Sequence, residues 1–143
     1  MHLIIKPINL YEYPLEEKSL ILKENNEKSG IYKLTNKITN ESYIGSSTNL
    51  KERFENYFSK GHLRNKINKG KIYRNLLNYD ISNFRLEILE YCDCNKKLLY
   101  CKEQYYIDSI NPEYNILKIA GSSLGFKHSL ETKLKLKKNN KKI

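Results

Sequence analysis

The pattern of apolar and polar positions along the chain predicts three β-strands. Residues 29–35 are rich in β-branched and aromatic side chains, and residues 42–45 form a second such run. The polar residues 36–41 between them favour an antiparallel hairpin. Residues 84–91 alternate, with Phe84, Leu86 and Ile88 turned inward and Arg85 and Glu87 outward, and they predict the third strand.

Helical spacing of apolar residues predicts three helices. They cover residues 49–58, 72–79 and 96–110. Thr48 or Asn49 can cap the first helix, and Asn111-Pro112 is expected to end the last one, because the residue before a proline disfavours helical geometry. Residues 61–70 are basic and begin and end with glycine, so we expect a loop there.

The order β-β-α-α-β-α predicts an α+β fold with a small three-stranded sheet, mixed or antiparallel, flanked by helices. The length of 143 residues fits one such domain with tails. Residues 29–117 would form this domain. Residues 1–28 lack a clear period and are interpreted as a lead-in, whose short apolar patch at 20–22 can pack on the domain. Residues 118–143 form a basic tail.

Charge favours a polyanionic partner. The chain has 26 basic and 16 acidic residues, and the tail alone carries eight lysines against Glu131. Part of this lysine content reflects codon bias, because 22 Lys against 4 Arg and 17 Asn indicate an AT-rich genome such as that of a mitochondrion. No apolar run approaches the about 18 residues that a membrane-spanning helix needs, so no membrane association is expected. Scattered Cys and His make a zinc site improbable.

Several polar side chains occur where packing alone does not require them. Tyr32 and Tyr43 lie on the paired strands and can share one face, which is equally consistent with cross-strand packing. Arg53 is one of few arginines, and its planar guanidinium can grip a phosphate at two points. Glu103 has apolar or aromatic neighbours one helical turn away, and a carboxylate in such a place needs a partner or a cation. Mg²⁺ suits a single carboxylate, because it keeps waters and uses phosphate as a further ligand.

These residues fall within motifs that resemble the GIY-YIG nuclease family. The motifs are G-I-Y at 30–32 and Y-I-G at 43–45 within G-I-Y-x10-Y-I-G-S-S-x-N-L-x-x-R, then E-Q-Y-Y-I-D at 103–108 and P-E-Y-N at 112–115. Their order and spacing are particularly similar to those of homing endonucleases encoded in introns of fungal mitochondrial genomes. The resemblance covers roughly residues 29–117 and implies a GIY-YIG fold.

The resemblance also implies a role for each matching residue. Tyr32 would be the general base for the attacking water, or its relay, and Tyr43 would help to hold water or phosphate. Arg53 would orient and neutralise the scissile phosphate. Glu103 would be the sole protein ligand of a divalent metal, Mg²⁺ or Mn²⁺. Asn115 would lie near the scissile phosphate.

The family often adds one more polar side chain between the first two helices. His62, Lys71 and Tyr73 are all candidates here, and Tyr73 is preferred. The tail pattern G-x-x-x-G-x-x-H-S-x-E-T-K at 121–133 resembles a modular DNA-binding motif that follows such nuclease domains. Its expected nucleic-acid-binding residues are Lys127, His128, Lys133, Lys135, Lys137 and Lys138.

The predicted function is a metal-dependent DNA endonuclease of the homing type, which hydrolyses phosphodiester bonds and is encoded in a fungal mitochondrial genome. The alternative is a non-catalytic GIY-YIG homologue that binds nucleic acid within an RNA–protein machine such as the mitochondrial ribosome. A cleft that joins the arginine and the carboxylate would favour the first, and burial of that cleft against RNA would favour the second.

Overall fold

The computed structural model describes residues 5–115 of the chain. Its elements, in chain order, are β1 (Asn9–Tyr11), α1 (Lys18–Glu24), β2 (Gly30–Asn36), β3 (Ser42–Ser47), α2 (Leu50–Phe58), α3 (Lys60–Asn65), α4 (Lys71–Tyr79), a 3-10 turn (Ile81–Asn83), β4 (Phe84–Tyr91) and α5 (Lys96–Ile110). The fold is therefore α+β, as the order of apolar patterns predicts. None of the helices in this part of the chain is long and apolar enough to cross a membrane.

The sheet has the strand order β1-β4-β2-β3, and every neighbouring pair is antiparallel. In the β2–β3 pair, Tyr32 lies opposite Gly45 and Leu34 lies opposite Tyr43. The two tyrosines therefore share one face of the sheet, because side chains two residues apart on a strand point the same way. An irregularity in the β2–β4 pairing leaves Leu89 as an extra residue between Ile88, which pairs with Tyr32, and Glu90, which pairs with Ile31. Because of this extra residue Glu90 lies on the same face as Leu89, where its carboxylate accepts a hydrogen bond from Tyr106 of α5.

Both faces of the sheet are covered, so the molecule has two apolar cores. On the face that carries Tyr32 and Ile88, helices α1 to α4 contribute buried side chains such as Ile21, Phe54 and Leu76. On the other face Leu99, Tyr106 and Ile107 of α5 pack against the smaller set Ile31, Ile44 and Leu89 of the sheet. The site residues of β2, β3 and α2 therefore project from rigid, packed elements.

Two asparagines and a left-handed residue set the ends of the helices. Asn49 accepts a hydrogen bond from the Glu52 amide at 3.1 Å and begins α2, and Asn95 caps α5 in the same way. Asn111 ends α5 in the left-handed conformation, with φ of 54°, directly before Pro112. Of the two caps proposed for α2, the structure therefore uses Asn49.

Three details differ from the sequence-based expectation. The sheet has four strands rather than three, because β1 pairs with β4 at its outer edge. Residues 18–24 form helix α1, which buries Ile21 completely, so the apolar patch of the lead-in does pack on the domain. The region expected as a loop contains helix α3, which Ser59 caps through its hydroxyl oxygen and Leu63 anchors in the core. One buried leucine in six residues leaves too little periodicity to reveal this helix.

Candidate active site

Tyr32 stands at the centre of the candidate site and depends on Gly45 across the strand pair. The Tyr32 side chain is fully buried, and its ring packs edge-on against Phe54 with centroids 5.3 Å apart. A Cβ atom at Gly45 would overlap the phenol of Tyr32. The glycine of the Y-I-G motif therefore makes room for the tyrosine of the G-I-Y motif.

Hydrogen bonds connect Tyr32 to helix α2 and to strand β3. The hydroxyls of Tyr32 and Tyr57 share a hydrogen bond of 2.5 Å. Nη1 of Arg53 donates to the hydroxyl oxygen of Tyr32 and to the carbonyl oxygen of Ser46, both at 3.2 Å. These two contacts fix the position of the guanidinium. Its other N–H groups have no protein partner within residues 5–115. Those groups are free to bind an anion such as a phosphate oxygen.

Ser46 links the arginine to the carboxylate of α5. Its hydroxyl donates to Oε1 of Glu103 at 2.5 Å, while its carbonyl accepts from Arg53. No ion pair of Glu103 within 4.0 Å is found among residues 5–115. A guanidinium and a carboxylate therefore flank one serine of β3 without neutralising each other directly.

Burial dominates the ionisation of this cluster. It raises the pKa of Tyr32 above its ordinary value of 10, although the Arg53 charge and the hydrogen bond with Tyr57 both act to lower it. The pKa of the Tyr57 hydroxyl is raised further, also chiefly by burial. The Arg53 charge acts in the direction that would make Tyr32 a better base, but desolvation outweighs it, so the hydroxyls of Tyr32 and Tyr57 are both protonated at neutral pH.

Glu103 has the properties of a ligand for a hard cation. Desolvation raises its pKa above the ordinary 4.5, and only the Ser46 hydrogen bond and the more distant Arg53 charge oppose this. A carboxylate in such a place gains most from an ion that replaces its lost hydration. No group of three or more His, Cys, Asp or Glu suited to a metal occurs among residues 5–115. The donor set of one carboxylate therefore fits Mg²⁺ or Mn²⁺ and does not fit zinc.

Two further tyrosines, Tyr43 and Tyr73, lie beside this cluster. The ring of Tyr43 lies 6.3 Å from the ring of Tyr32 and is half-buried. Tyr73, at the start of α4, is also half-buried, and its ring lies 6.3 Å from that of Tyr57. Of the three candidates for the additional polar residue, Tyr73 is thus in contact with the tyrosine cluster. His62 lies on α3, and Lys71 is exposed at the first position of α4.

Asn115 has contacts that differ from its implied place beside the phosphate. Its Nδ2 donates to the carbonyl oxygen of Ile44 and its Oδ1 accepts from the amide of Ile44, each at 2.9 Å. The side chain is 8% exposed. Both ends of the side-chain amide thus bond to the edge of β3. The backbone N–H of Tyr114 donates to the carbonyl oxygen of Ser42 on the same edge. These bonds give Asn115 a structural part in holding the strand that carries Ser46.

Sequence reasoning missed two members of the cluster. Tyr57 falls among the apolar positions that predict α2, but it follows Arg53 by four positions and so lies on the same side of the helix. That spacing was an available signal. Ser46 belongs to the Y-I-G-S-S stretch, yet nothing in the sequence distinguishes its hydroxyl from that of its neighbour Ser47. The expected tail residues, Lys127 to Lys138, lie outside the described residues.

Comparison with known proteins identifies the family. The sequence profile of the GIY-YIG catalytic domain matches residues 28–115. The chain is 33% identical over 141 aligned residues to the "Probable intron-encoded endonuclease bI1" of Neurospora crassa. The aligned region covers 93% of this chain and 31% of that protein. It is 32% identical to "Probable intron-encoded endonuclease 1" of the same fungus, over 85% of this chain and 40% of that protein. The "Intron-associated endonuclease 1" of Enterobacteria phage T4 is 29% identical, over 68% and 39% respectively.

A solved structure gives the same result at the level of the fold. The catalytic domain of the intron endonuclease I-TevI, solved as a point mutant, superposes with a TM-score of 0.53 at 29% identity and covers 62% of this chain and 93% of that one. The present chain spans between about a third and two fifths of the length of the curated relatives it matches. The profile, the shared fold and the motif residues gathered around Tyr32 agree, and this chain belongs to the GIY-YIG family.

Proposed function

We propose that the protein is a DNA endonuclease that hydrolyses phosphodiester bonds with one divalent cation. The observation that carries this proposal is the arrangement of Arg53, Ser46 and Glu103, in which a fixed guanidinium and an unneutralised carboxylate flank the same serine. Such a pair can take a phosphate and a cation side by side. The names of the relatives support the proposal, since they are described as intron-encoded or intron-associated endonucleases.

Glu103 would hold the cation, either Mg²⁺ or Mn²⁺, with waters and substrate oxygens as its other ligands. The cation would supply Lewis-acid stabilisation of the charge that develops on the phosphate and on the departing 3′-oxygen. Ser46 fixes one oxygen of the carboxylate through its hydrogen bond and leaves Oε2 of Glu103 for the ion. The serine thus determines the orientation of the ligand.

Arg53 would bind the scissile phosphate through the guanidinium N–H groups that Tyr32 and Ser46 leave free. Its charge is then fixed before substrate arrives, so no reorganisation is needed as negative charge builds up in the transition state. Tyr32 is fully buried and protonated, and we assign to it the positioning of Arg53 rather than proton abstraction in the resting site. Tyr43 is half-buried on the same face, and burial raises the pKa of its hydroxyl too, so it would contact a water or a phosphate oxygen in its protonated form.

The biological setting follows from the composition and the relatives. An AT-rich codon pattern and similarity to intron-encoded proteins of a filamentous fungus support a mitochondrial gene of the homing type. DNA would then be the substrate. The alternative of a non-catalytic component of an RNA–protein machine gains no support from the described residues, in which Arg53 and Glu103 both contact Ser46.

Nicking of a supercoiled plasmid tests the proposal. The purified chain with Mg²⁺ is expected to convert supercoiled DNA to the open-circular form, and a chelator should stop the reaction. Glu103→Gln should reduce the rate by at least about a hundredfold, because it removes the charge that holds the cation. Asp108→Asn is the matched control, since it removes an exposed carboxylate from the same helix. Equal rates for wild type and Glu103→Gln would contradict the proposal.

A further inference from the structure

A long interval of the chain carries positive charge without any acidic residue. Between Glu55 and Asp80 the sequence has six cationic side chains and no Asp or Glu. They are Lys60, Arg64, Lys66, Lys69, Lys71 and Arg74, which we call the α3–α4 basic surface. The interval contains helices α3 and α4 and the turn that joins them.

The cations of this surface have no ion-pair partner in the described part of the chain. Five of the six are exposed, and Lys66 is half-buried. The four ion pairs found within residues 5–115 join Lys33 to Glu87, Lys37 and Arg85 to Glu12, and Lys102 to Glu90, and none of them involves α3 or α4. Lys33, Lys37, Arg85 and Lys102 are thus neutralised locally. The charges of the α3–α4 basic surface instead add to one another and create a positive potential.

The choice of arginine points to phosphate. Lysine outnumbers arginine by 22 to four in this chain. Arg53 belongs to the candidate site and Arg85 forms a two-point ion pair with Glu12. The other two, Arg64 and Arg74, both lie on the basic surface, exposed and without an ion pair in the described part of the chain. A planar guanidinium binds phosphate oxygens at two points, which an ammonium group cannot do.

The surface is fixed in place beside the candidate site. Leu63 anchors α3, and Ile72 and Leu76 anchor α4, in the same core that contains Tyr32. At the start of α4, Gly70 lies against the ring of Tyr73, which in turn contacts Tyr57. Lys69 and Lys71 flank Gly70, so the basic surface continues directly from the tyrosine cluster around Arg53. On each helix two of the cations lie one turn apart, Lys60 with Arg64 and Lys71 with Arg74.

We propose that the α3–α4 basic surface binds the sugar–phosphate backbone of duplex DNA and directs one strand towards Arg53. This inference rests on the proposed nuclease function and names the part of the domain that holds the substrate. Contacts of this kind provide affinity and register without reading bases. The surface would therefore contribute the same affinity for any duplex sequence. This contribution would be largest at low salt concentration, because phosphate contacts are screened by salt.

Salt-dependent DNA binding tests the proposal separately from cleavage. Affinity for a random-sequence duplex is measured by fluorescence anisotropy in a chelator, where no cation-dependent reaction occurs, over a series of salt concentrations. The variant Arg64→Gln with Arg74→Gln should weaken binding and lower the slope of log K against log salt by about two, about one for each lost phosphate contact. The control is Lys23→Gln with Lys97→Gln, which removes the same charge from exposed positions on α1 and α5. Its slope should stay close to that of the wild type.

The outcomes separate this inference from the proposed function. Equal slopes for the two double variants would overturn the basic surface, even if the wild type nicks plasmid DNA. Tighter binding of a duplex RNA of equal length than of DNA would overturn the assignment of the partner. A wild type that fails to nick while Arg64→Gln with Arg74→Gln shows the smaller slope would contradict the nuclease and leave the surface supported. Unchanged thermal midpoints for both double variants verify that folding is intact.

Discussion

At the scale of single residues, the candidate site depends on one close approach between two strands. Tyr32 can point its hydroxyl at Tyr57 and Arg53 only because Gly45 has no side chain in the space that the phenol occupies. The buried hydroxyl has two partners, so its desolvation is compensated. Gly45 thus affects the position of Arg53 indirectly, because it leaves the space in which Tyr32 contacts the guanidinium.

Gly45→Ala should therefore damage the site and the fold together. The added methyl group would overlap Tyr32 and force its ring aside, at a cost of about 1–3 kcal/mol in the free energy of unfolding. Nicking activity should fall with it, because the Tyr32 contact that holds Arg53 is displaced. Urea unfolding and plasmid nicking measure the two effects. Gly61→Ala provides the control. A Cβ there meets nothing closer than 3.9 Å in the exposed helix α3 and should stabilise the protein by up to about 1 kcal/mol.

The sequence was sufficient to indicate most of this cluster but not its chemistry. Motif spacing brought Tyr32, Tyr43, Arg53 and Glu103 into one hypothesis. In the structure Arg53 donates to both Tyr32 and Ser46, Glu103 accepts from Ser46, and the ring of Tyr43 lies 6.3 Å from that of Tyr32. Hydrogen-bond partners depend on rotamers and on strand register, which a sequence does not display. That is why Tyr57 and Ser46 were missed, and why the hydrogen bonds between Asn115 and Ile44 were not predicted.

At the scale of elements, the segment before β2 is tied into the sheet by charge as well as by packing. The carboxylate of Glu12 follows β1 and accepts two hydrogen bonds from Arg85 of β4, at 2.8 and 3.2 Å. Lys37, just after β2, approaches the same carboxylate at 3.8 Å and donates to the carbonyl oxygen of Glu12 at 2.6 Å. One acidic residue thus links three parts of the sheet.

This link predicts a pH-dependent contribution to stability. The hydrogen bonds from Arg85 hold the pKa of Glu12 below its ordinary value of 4.5. A carboxyl with a lowered folded-state pKa stabilises the fold above about pH 4.5, and this contribution is lost as the pH falls through the folded-state value. Glu12→Gln should therefore lower stability at pH 7 by at most about 1 kcal/mol, since the pair is partly exposed and screened by solvent. Urea titrations at pH 7 and pH 3 should show a larger difference in the free energy of unfolding at the higher pH. A difference of the same size at both pH values would contradict the explanation.

The elements that sequence patterns revealed are those with several buried residues each. Strand β4 and helix α5 have strong periodicity and appear within the predicted limits. Strand β1 has three residues, of which only Tyr11 is buried, and it is specified by its pairing with the distant β4. Helix α3 likewise depends on the tertiary contact of Leu63. Short elements of this kind are selected by the fold around them and carry little signal of their own.

At the scale of the whole molecule, the charge of the described part is not evenly distributed. Acidic residues neutralise cations around β1, β2 and β4, while α3 and α4 contain basic residues and no acidic residue. The chain also spans only part of the length of its curated relatives. Recognition of a long target sequence is therefore a separate question from cleavage, and a test of the site should not depend on knowing that sequence.

The central claim is that Glu103 is kept ready for a divalent cation beside Arg53. Paramagnetic broadening of amide signals in nuclear magnetic resonance spectra, with trace Mn²⁺ as the probe, tests this most directly. In the wild type, the signals of Gly45 to Ser47 and of Lys102 to Gln104 should broaden first, because these amides surround the carboxylate. Glu103→Gln should remove that local effect, while Asp108→Asn should leave it intact. Broadening that is absent from this region, or unchanged in Glu103→Gln, would contradict the account.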